Sequence, residues 1–211
     1  MPLNLGDLNN NFNNSQPTSG LTSLNLKKGM SLDLAKHANL KNVRFGLGWK
    51  AGNGENFDLD ATAILLNSRG VVNDAQDVIF YNQLDTNRGV KSLGDNKVGS
   101  YNNVGASDDE TIIVDTTKIP STTQEILFVV TIHDAARRNQ NFGMVKEAYI
   151  KVYDDDSGQE LARYSLDEKY SLQISCEVAK LVKTAYGWEF IPVDNRRNDN
   201  LEQILISYGV S

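Results

Sequence analysis

Apolar and polar residues alternate in short runs along most of this chain, and the repeat is two residues rather than 3.6. Val43, Phe45, Leu47 and Trp49 alternate with Arg44, Gly46, Gly48 and Lys50, which predicts a half-buried strand. Residues 51–56, rich in Gly and Asn, read as a loop. A strand-like run over 58–66 follows and ends in the turn Asn67-Ser68-Arg69-Gly70. Short strands are expected at 78–81 and 111–115. Residues 125–133 are apolar on both faces, with Ile126, Phe128, Val130 and Ile132 on one and Leu127 and Val129 on the other, so that strand belongs at a sheet centre. Residues 148–153 and 160–166 flank Asp154-Asp155-Asp156-Ser157-Gly158 in the layout of a β-hairpin. Leu172, Ile174, Cys176 and Val178 alternate, and a strand over 188–193 follows the Tyr186-Gly187 turn. Helical spacing appears only near the end, at Leu201, Ile204, Leu205 and Tyr208. Together these elements predict an all-β fold, a two-sheet β-sandwich with a short C-terminal helix.

Two stretches fall outside the pattern. Residues 1–21 are polar and aperiodic, with too little apolar surface to offset the entropy of ordering, and are expected to be a disordered tail ahead of one domain over 22–211. Residues 82–107 are polar and punctuated by glycine, longer than an idle connection needs to be, which makes them the first place to look for function.

Composition narrows the classes. A chain of 211 residues suits a single domain with a real core, and no apolar run is long enough to span a bilayer. The net charge is −6 and no Lys/Arg cluster stands out, so a nucleic-acid track lacks its electrostatic footprint and a cationic partner fits better. The single Cys176 cannot form an internal disulfide, and the first twenty residues carry no basic start or apolar stretch of a secretory signal, so the expectation is cytoplasmic. There are 18 Asp against 9 Glu, and 23 Asn. Short polar side chains favour loops over helices and also supply oxygen ligands from loops, so turns and a calcium site would both leave this skew.

Three acidic clusters carry the candidate chemistry. Asp58 and Asp60 flank Leu59, and side chains at i and i+2 of an extended segment share a face, so the two charges repel unless water or a cation lies between them. Asp108, Asp109 and Glu110 immediately precede a predicted strand. Gly94-Asp95-Asn96, with Gly99 and Gly105 downstream, places acidic and amide oxygens among glycines that let carbonyls turn inward. The inventory suits a hard cation, Ca²⁺ or Mg²⁺. Zinc is disfavoured, because Cys176, His37 and His133 have no ligand spacing. Residues 154–158 are a turn and not an EF-hand, since Gly158 is fifth and Ser165 stands at the twelfth position. Gly46-Leu47-Gly48 lacks the spacing of a dinucleotide fingerprint. His133-Asp134 has no accompanying nucleophile motif, so no enzyme activity is expected.

Gly46-Leu47-Gly48-Trp49, Phe57-Asp58-Leu59-Asp60-Ala61, Phe80-Tyr81-Asn82, Gly94-Asp95-Asn96, Asp108-Asp109-Glu110, Ile132-His133-Asp134-Ala135 and Glu160-Leu161-Ala162-Arg163-Tyr164 occur in that order. In these the chain resembles the TerD family of tellurium-resistance and general stress proteins, over about residues 22 to 209. The resemblance implies a two-sheet β-sandwich that binds Ca²⁺ at one end, with ligands at Asp58, Asp60, Asp95, Asn96, Asp108, Asp109 and Glu110 and a carbonyl from Gly99. It implies a non-enzymatic stress protein acting through Ca²⁺-dependent binding to partners, among them a membrane protein of the TerC type and other stress-operon proteins. Some relatives look like cyclic-nucleotide binders, which gives the alternative of cation-assisted nucleotide or small-anion binding. Residues 97–107 are longer than the family's usual link and put Ser107 where it has glycine.

Overall fold

The computed structural model describes residues 23–37, 40–51, 57–94, 108–166 and 172–210. The expected tail at 1–21 lies outside the described residues. The strands are β1 (Leu24–Leu26), β2 (Leu32–Asp33), β3 (Asn42–Ala51), β4 (Leu59–Leu66), β5 (Val78–Ile79), β6 (Val90–Ser92), β7 (Glu110–Asp115), β8 (Glu125–Ile132), β9 (Val145–Asp154), β10 (Glu160–Ser165), β11 (Ser175–Lys183) and β12 (Trp188–Arg197). A one-turn helix α1 (Ala135–Arg138) follows β8, and α2 (Leu201–Ser207) follows β12. The strands form two six-stranded sheets in the orders β1-β10-β9-β3-β7-β6 and β2-β12-β11-β8-β4-β5. The two-sheet sandwich with a short C-terminal helix is therefore the observed fold.

The sheets pack through the inward residues of their alternating patterns. Val43, Phe45, Leu47 and Trp49 of β3 all join the core with Leu59, Leu65, Phe128 and Phe190. The Phe45 and Phe128 rings lie 4.3 Å apart and bridge the layers. As its pattern requires, β8 is central, between β11 and β4. Its outward Leu127 and Val129 form a second apolar cluster with Ile64, Leu66, Val72, Val78 and Ile204, so α2 seals the outer face of the second sheet. The outer face of the first sheet instead carries Arg44, Gly46, Gly48 and Lys50 of β3 beside Tyr149, Lys151 and Tyr153 of β9.

Several elements depart from the pattern reading. The strand expected at 78–81 stops at Ile79, because Phe80 and Gln83 bond to one another across a tight turn. The stretch read as a loop from 82 contains β6, where buried Val90 and Ser92 flank exposed Lys91, an alternation too short to read by period. The expected strand at 172–178 begins at Ser175 and runs on to Lys183, and a register shift between Glu177 and Ala179 breaks its alternation. β12 continues to Arg197 through Asp194 at φ 49°, the bulge facing that shift. The short β1, β2 and α1 gave no period at all.

Candidate functional site

β4 enters the second sheet through Phe57 and Leu59, both fully buried in the core between the sheets. Asp58 and Asp60 therefore face the other way, as the i, i+2 spacing predicts. Their repulsion is answered by the turn after β8. Arg138 Nη2 lies 3.6 Å from Asp58 Oδ2, and His133 Nδ1 lies 3.5 Å from Asp60 Oδ2. The His133 amide also donates to the Asp58 carbonyl at 2.8 Å. Helix α1 carries Arg138 and follows His133 directly, and it lies between two left-handed residues, Asp134 at φ 52° and Asn139 at φ 53°, short polar side chains that tolerate such backbone. Asp58 Oδ1 is left buried with no hydrogen-bond donor among the described residues. His133 stands between two carboxylates, with Nε2 3.6 Å from Asp134 Oδ2. Asp60, Tyr81, His133, Asn200 and Glu202 line an open polar depression of about 170 Å³ there.

The next three carboxylates go to three different surroundings. Asp109 is anchored to β3: its amide donates to the Leu47 carbonyl at 2.8 Å, and its Oδ2 accepts from the Trp49 amide at 3.1 Å. Glu110 opens β7 opposite Leu47 and is buried, in phase with the inward Ile112 and Val114. It lines a small cavity of about 20 Å³ between the sheets, shared with Thr62 and Phe128, large enough for one water.

Asp108 turns onto the outer face of the first sheet. Its side chain is only 2% exposed, between Arg44 Nη1 at 3.4 Å and Lys151 Nζ at 3.5 Å. The hydroxyls of Tyr149 and Tyr153 donate to its Oδ1 at 3.3 and 3.5 Å. Gly46 provides the floor, since a Cβ there would overlap the Asp108 carboxylate, and a Cβ at Gly48 would overlap the Tyr149 ring. The Arg44 guanidinium stacks on Tyr153, 3.9 Å from the ring centroid, and the Lys151 ammonium lies 4.3 Å from that of Tyr149. Burial, and then the negative charge of Asp108, push the Tyr149 phenol up to about 12 and raise that of Tyr153 as well. Both hydroxyls stay protonated donors at neutral pH.

Asp58 and Asp60 thus share one face of β4, Asp108 lies over the opposite sheet, and Glu110 points between the sheets. Among the described residues no three His, Cys, Asp or Glu side chains form a group that could hold a metal. Asp95, Asn96 and Gly99 lie outside the described residues. Against a cation as partner, one observation fits: the orphaned Asp58 Oδ1 is an anionic oxygen, buried and unclaimed. Cys176 adds nothing for a soft metal, because burial raises its thiol and its Sγ faces Asp194 Oδ1 at 3.7 Å. Pattern reading missed Arg138, Arg44, Lys151, Tyr149 and Tyr153. Only the alternation of 149, 151 and 153 beside the hairpin turn could have put the last three on one face.

No helix among the described residues is long and apolar enough to cross a membrane. The family model described as TerD domain matches residues 22–208. Tellurium resistance protein TerD of Serratia marcescens is 40% identical over 193 residues, which cover 90% of this chain and 98% of the relative. General stress protein 16U of Bacillus subtilis (strain 168) is 36% identical over 193 residues, 89% of this chain and 98% of its own length. The crystal structure of a homologue of telluride resistance protein (TerD) from Streptomyces coelicolor A3(2) superposes with a TM-score of 0.59 at 16% identity, covering 81% of this chain and 97% of that one. That last likeness is one of fold.

Proposed function

The chain belongs to the TerD family, and from that premise we propose that it is a resistance and stress-response protein that binds Ca²⁺ at the acidic end where Asp58 and Asp60 enter the second sheet. The observation that carries the reading is Asp58 Oδ1, buried without a donor among the described residues. Such an oxygen costs about 1–3 kcal/mol, more when charged, and a divalent cation would remove that cost. Asp60 stands on the same side of β4, and Asp95, Asn96, Gly99 and Asp109 are the candidates for the rest of the six to eight oxygens that Ca²⁺ takes; Asp108 and Glu110, turned to the outer face of the first sheet and to the space between the sheets, are left out of that set. The residues are oxygen donors throughout, which favours a hard ion over zinc. The names of the relatives are those of resistance and stress proteins, and the reading is of a non-enzymatic binding module in the cytoplasm whose cation-loaded end meets partner proteins.

Calorimetric titration with Ca²⁺, paired with thermal melts, tests this. Bound cation at about 100 times Kd should stabilise the fold by about 2.7 kcal/mol. Asp58→Asn should abolish both the binding heat and that shift, while leaving the cation-free protein as stable as the parent or more so. No heat up to millimolar Ca²⁺ together with an unchanged melting temperature would overturn the reading.

A further inference from the structure

The outer face of the first sheet carries a cluster that the Ca²⁺ reading does not use. Strand register sets it: Arg44 pairs with Tyr153, Gly46 with Lys151 and Gly48 with Tyr149, and Arg163 of β10 stands across from Lys151 on the other side. Arg44, Lys151 and Arg163 thus lie around two tyrosine rings, over a floor that two glycines keep flat. The Arg163 guanidinium lies 5.3 Å from the Tyr149 centroid, and its Nη2 lies 3.2 Å from Glu160 Oε2. Arg44 Nε reaches Asp155 Oδ1 at 3.0 Å. Asp108 fills the middle.

Asp108 fits the middle poorly. Its four polar contacts run from 3.3 to 3.5 Å, whereas charge-assisted bonds to a carboxylate close to about 2.7–2.9 Å. Three of the four donors, Lys151 Nζ and the Tyr149 and Tyr153 hydroxyls, converge on the single oxygen Oδ1, and only Arg44 is left for Oδ2. A phosphate is larger and offers three acceptor oxygens to donors arriving from different sides. Departure of Asp108 breaks no backbone bond of the sheet, because the first ladder-like bond is made by the next residue, from the Asp109 amide to the Leu47 carbonyl. Its departure would leave Arg44, Lys151 and Arg163 against Asp155 and Glu160, one positive charge uncovered in a partly buried face.

We propose that this face binds the phosphate group of a monoester, with Arg44, Lys151 and Arg163 as its cations, Tyr149 and Tyr153 as walls and hydroxyl donors, and Asp108 as a resident occupant that the ester displaces. The site stands independently of Ca²⁺ binding at the acidic end. Asp108 is a built-in competitor, so the affinity of the unmodified protein is set low and rises when that carboxylate loses its charge.

The test is an NMR titration of the full chain with phenyl phosphate in Ca²⁺-free buffer, following the ring signals of Tyr149 and Tyr153. The expected result is saturable shifts with a Kd of about 1 mM, tightened about tenfold in Asp108→Asn. In the double variant Asp108→Asn with Lys151→Met, which leaves neither charge buried alone, the shifts should be lost. A parallel arm sediments the protein with vesicles containing phosphatidic acid: sedimentation makes a lipid headgroup the source of the monoester, and phenyl phosphate binding without it makes the source soluble. Two results would overturn the proposal. One is the absence of saturable shifts and of sedimentation for the parent protein, even if Asp108→Asn binds. The other is shifts that persist unchanged in the double variant.

Discussion

At Gly46 the backbone is ordinary extended strand, and what forbids a side chain is the carboxylate of Asp108 lying directly over it. Gly46→Ala should therefore displace Asp108 from between Arg44 and Lys151 and destabilise the fold by about 1–3 kcal/mol, the usual range for forcing atoms into packed space. A shift in the urea midpoint with unchanged slope would register it, and an unchanged midpoint would mean that Asp108 gives way freely. Asp58 is the opposite case, a residue whose surroundings supply too little. One oxygen faces Arg138 at 3.6 Å and the other, buried, has no hydrogen-bond partner among the described residues. A carboxylate with one unmet oxygen is weak as a structural group and well suited to a cation, which is why that atom and not the mere count of acidic residues supports the Ca²⁺ reading.

Among the elements, α2 has a definable task. Asn200 and Gln203 close a capping box at its start, with reciprocal bonds of 2.9 Å, and Ile204 is fully buried against Leu127 and Val129 of β8. A helix this short owes its stability to packing and capping more than to propensity. Ile204→Ala should cost about 2–5 kcal/mol, and Asn200→Ala about 1 kcal/mol, both read from urea denaturation. A loss near 1 kcal/mol for Ile204→Ala would mean that α2 is not what seals that face. Helix α1 is held in another way. With a single turn between two left-handed residues it packs only Ala135 into the core, and the turn sets His133 and Arg138 against the paired aspartates.

Across the whole molecule, Glu177 ties the second sheet to its end. Burial by itself would raise this carboxyl, but Asn195 Nδ2 at 2.7 Å, Arg197 Nη1 at 2.8 Å and the Tyr208 hydroxyl at 2.9 Å all donate to it and hold it below the ordinary glutamate range. A carboxyl whose pKa is lower folded than unfolded contributes stability that is complete above the unfolded value of about 4.3 and is lost as pH falls through the folded one. Stability should thus fall in acid below about pH 4.3, and Glu177→Gln should flatten that part of the profile, as melts taken across the range would show. The alternation of Val43 to Trp49, the doubly apolar run of 125–133 and the helical spacing near Leu201 were enough, as sequence, to fix two packed sheets and a closing helix, because burial obeys local period. The family could be read as well, from ordered short motifs. The edge strands β1, β2 and β6, of two or three residues, could not, since too few positions repeat. Nor could the partners of the acidic residues be read: Arg138 reaches Asp58, and Arg44 and Lys151 enclose Asp108, only because strand register brings distant positions to one face. Charges are written in the chain, but which of them are neutralised is a matter of distance in space, and that was decided by the tertiary fold.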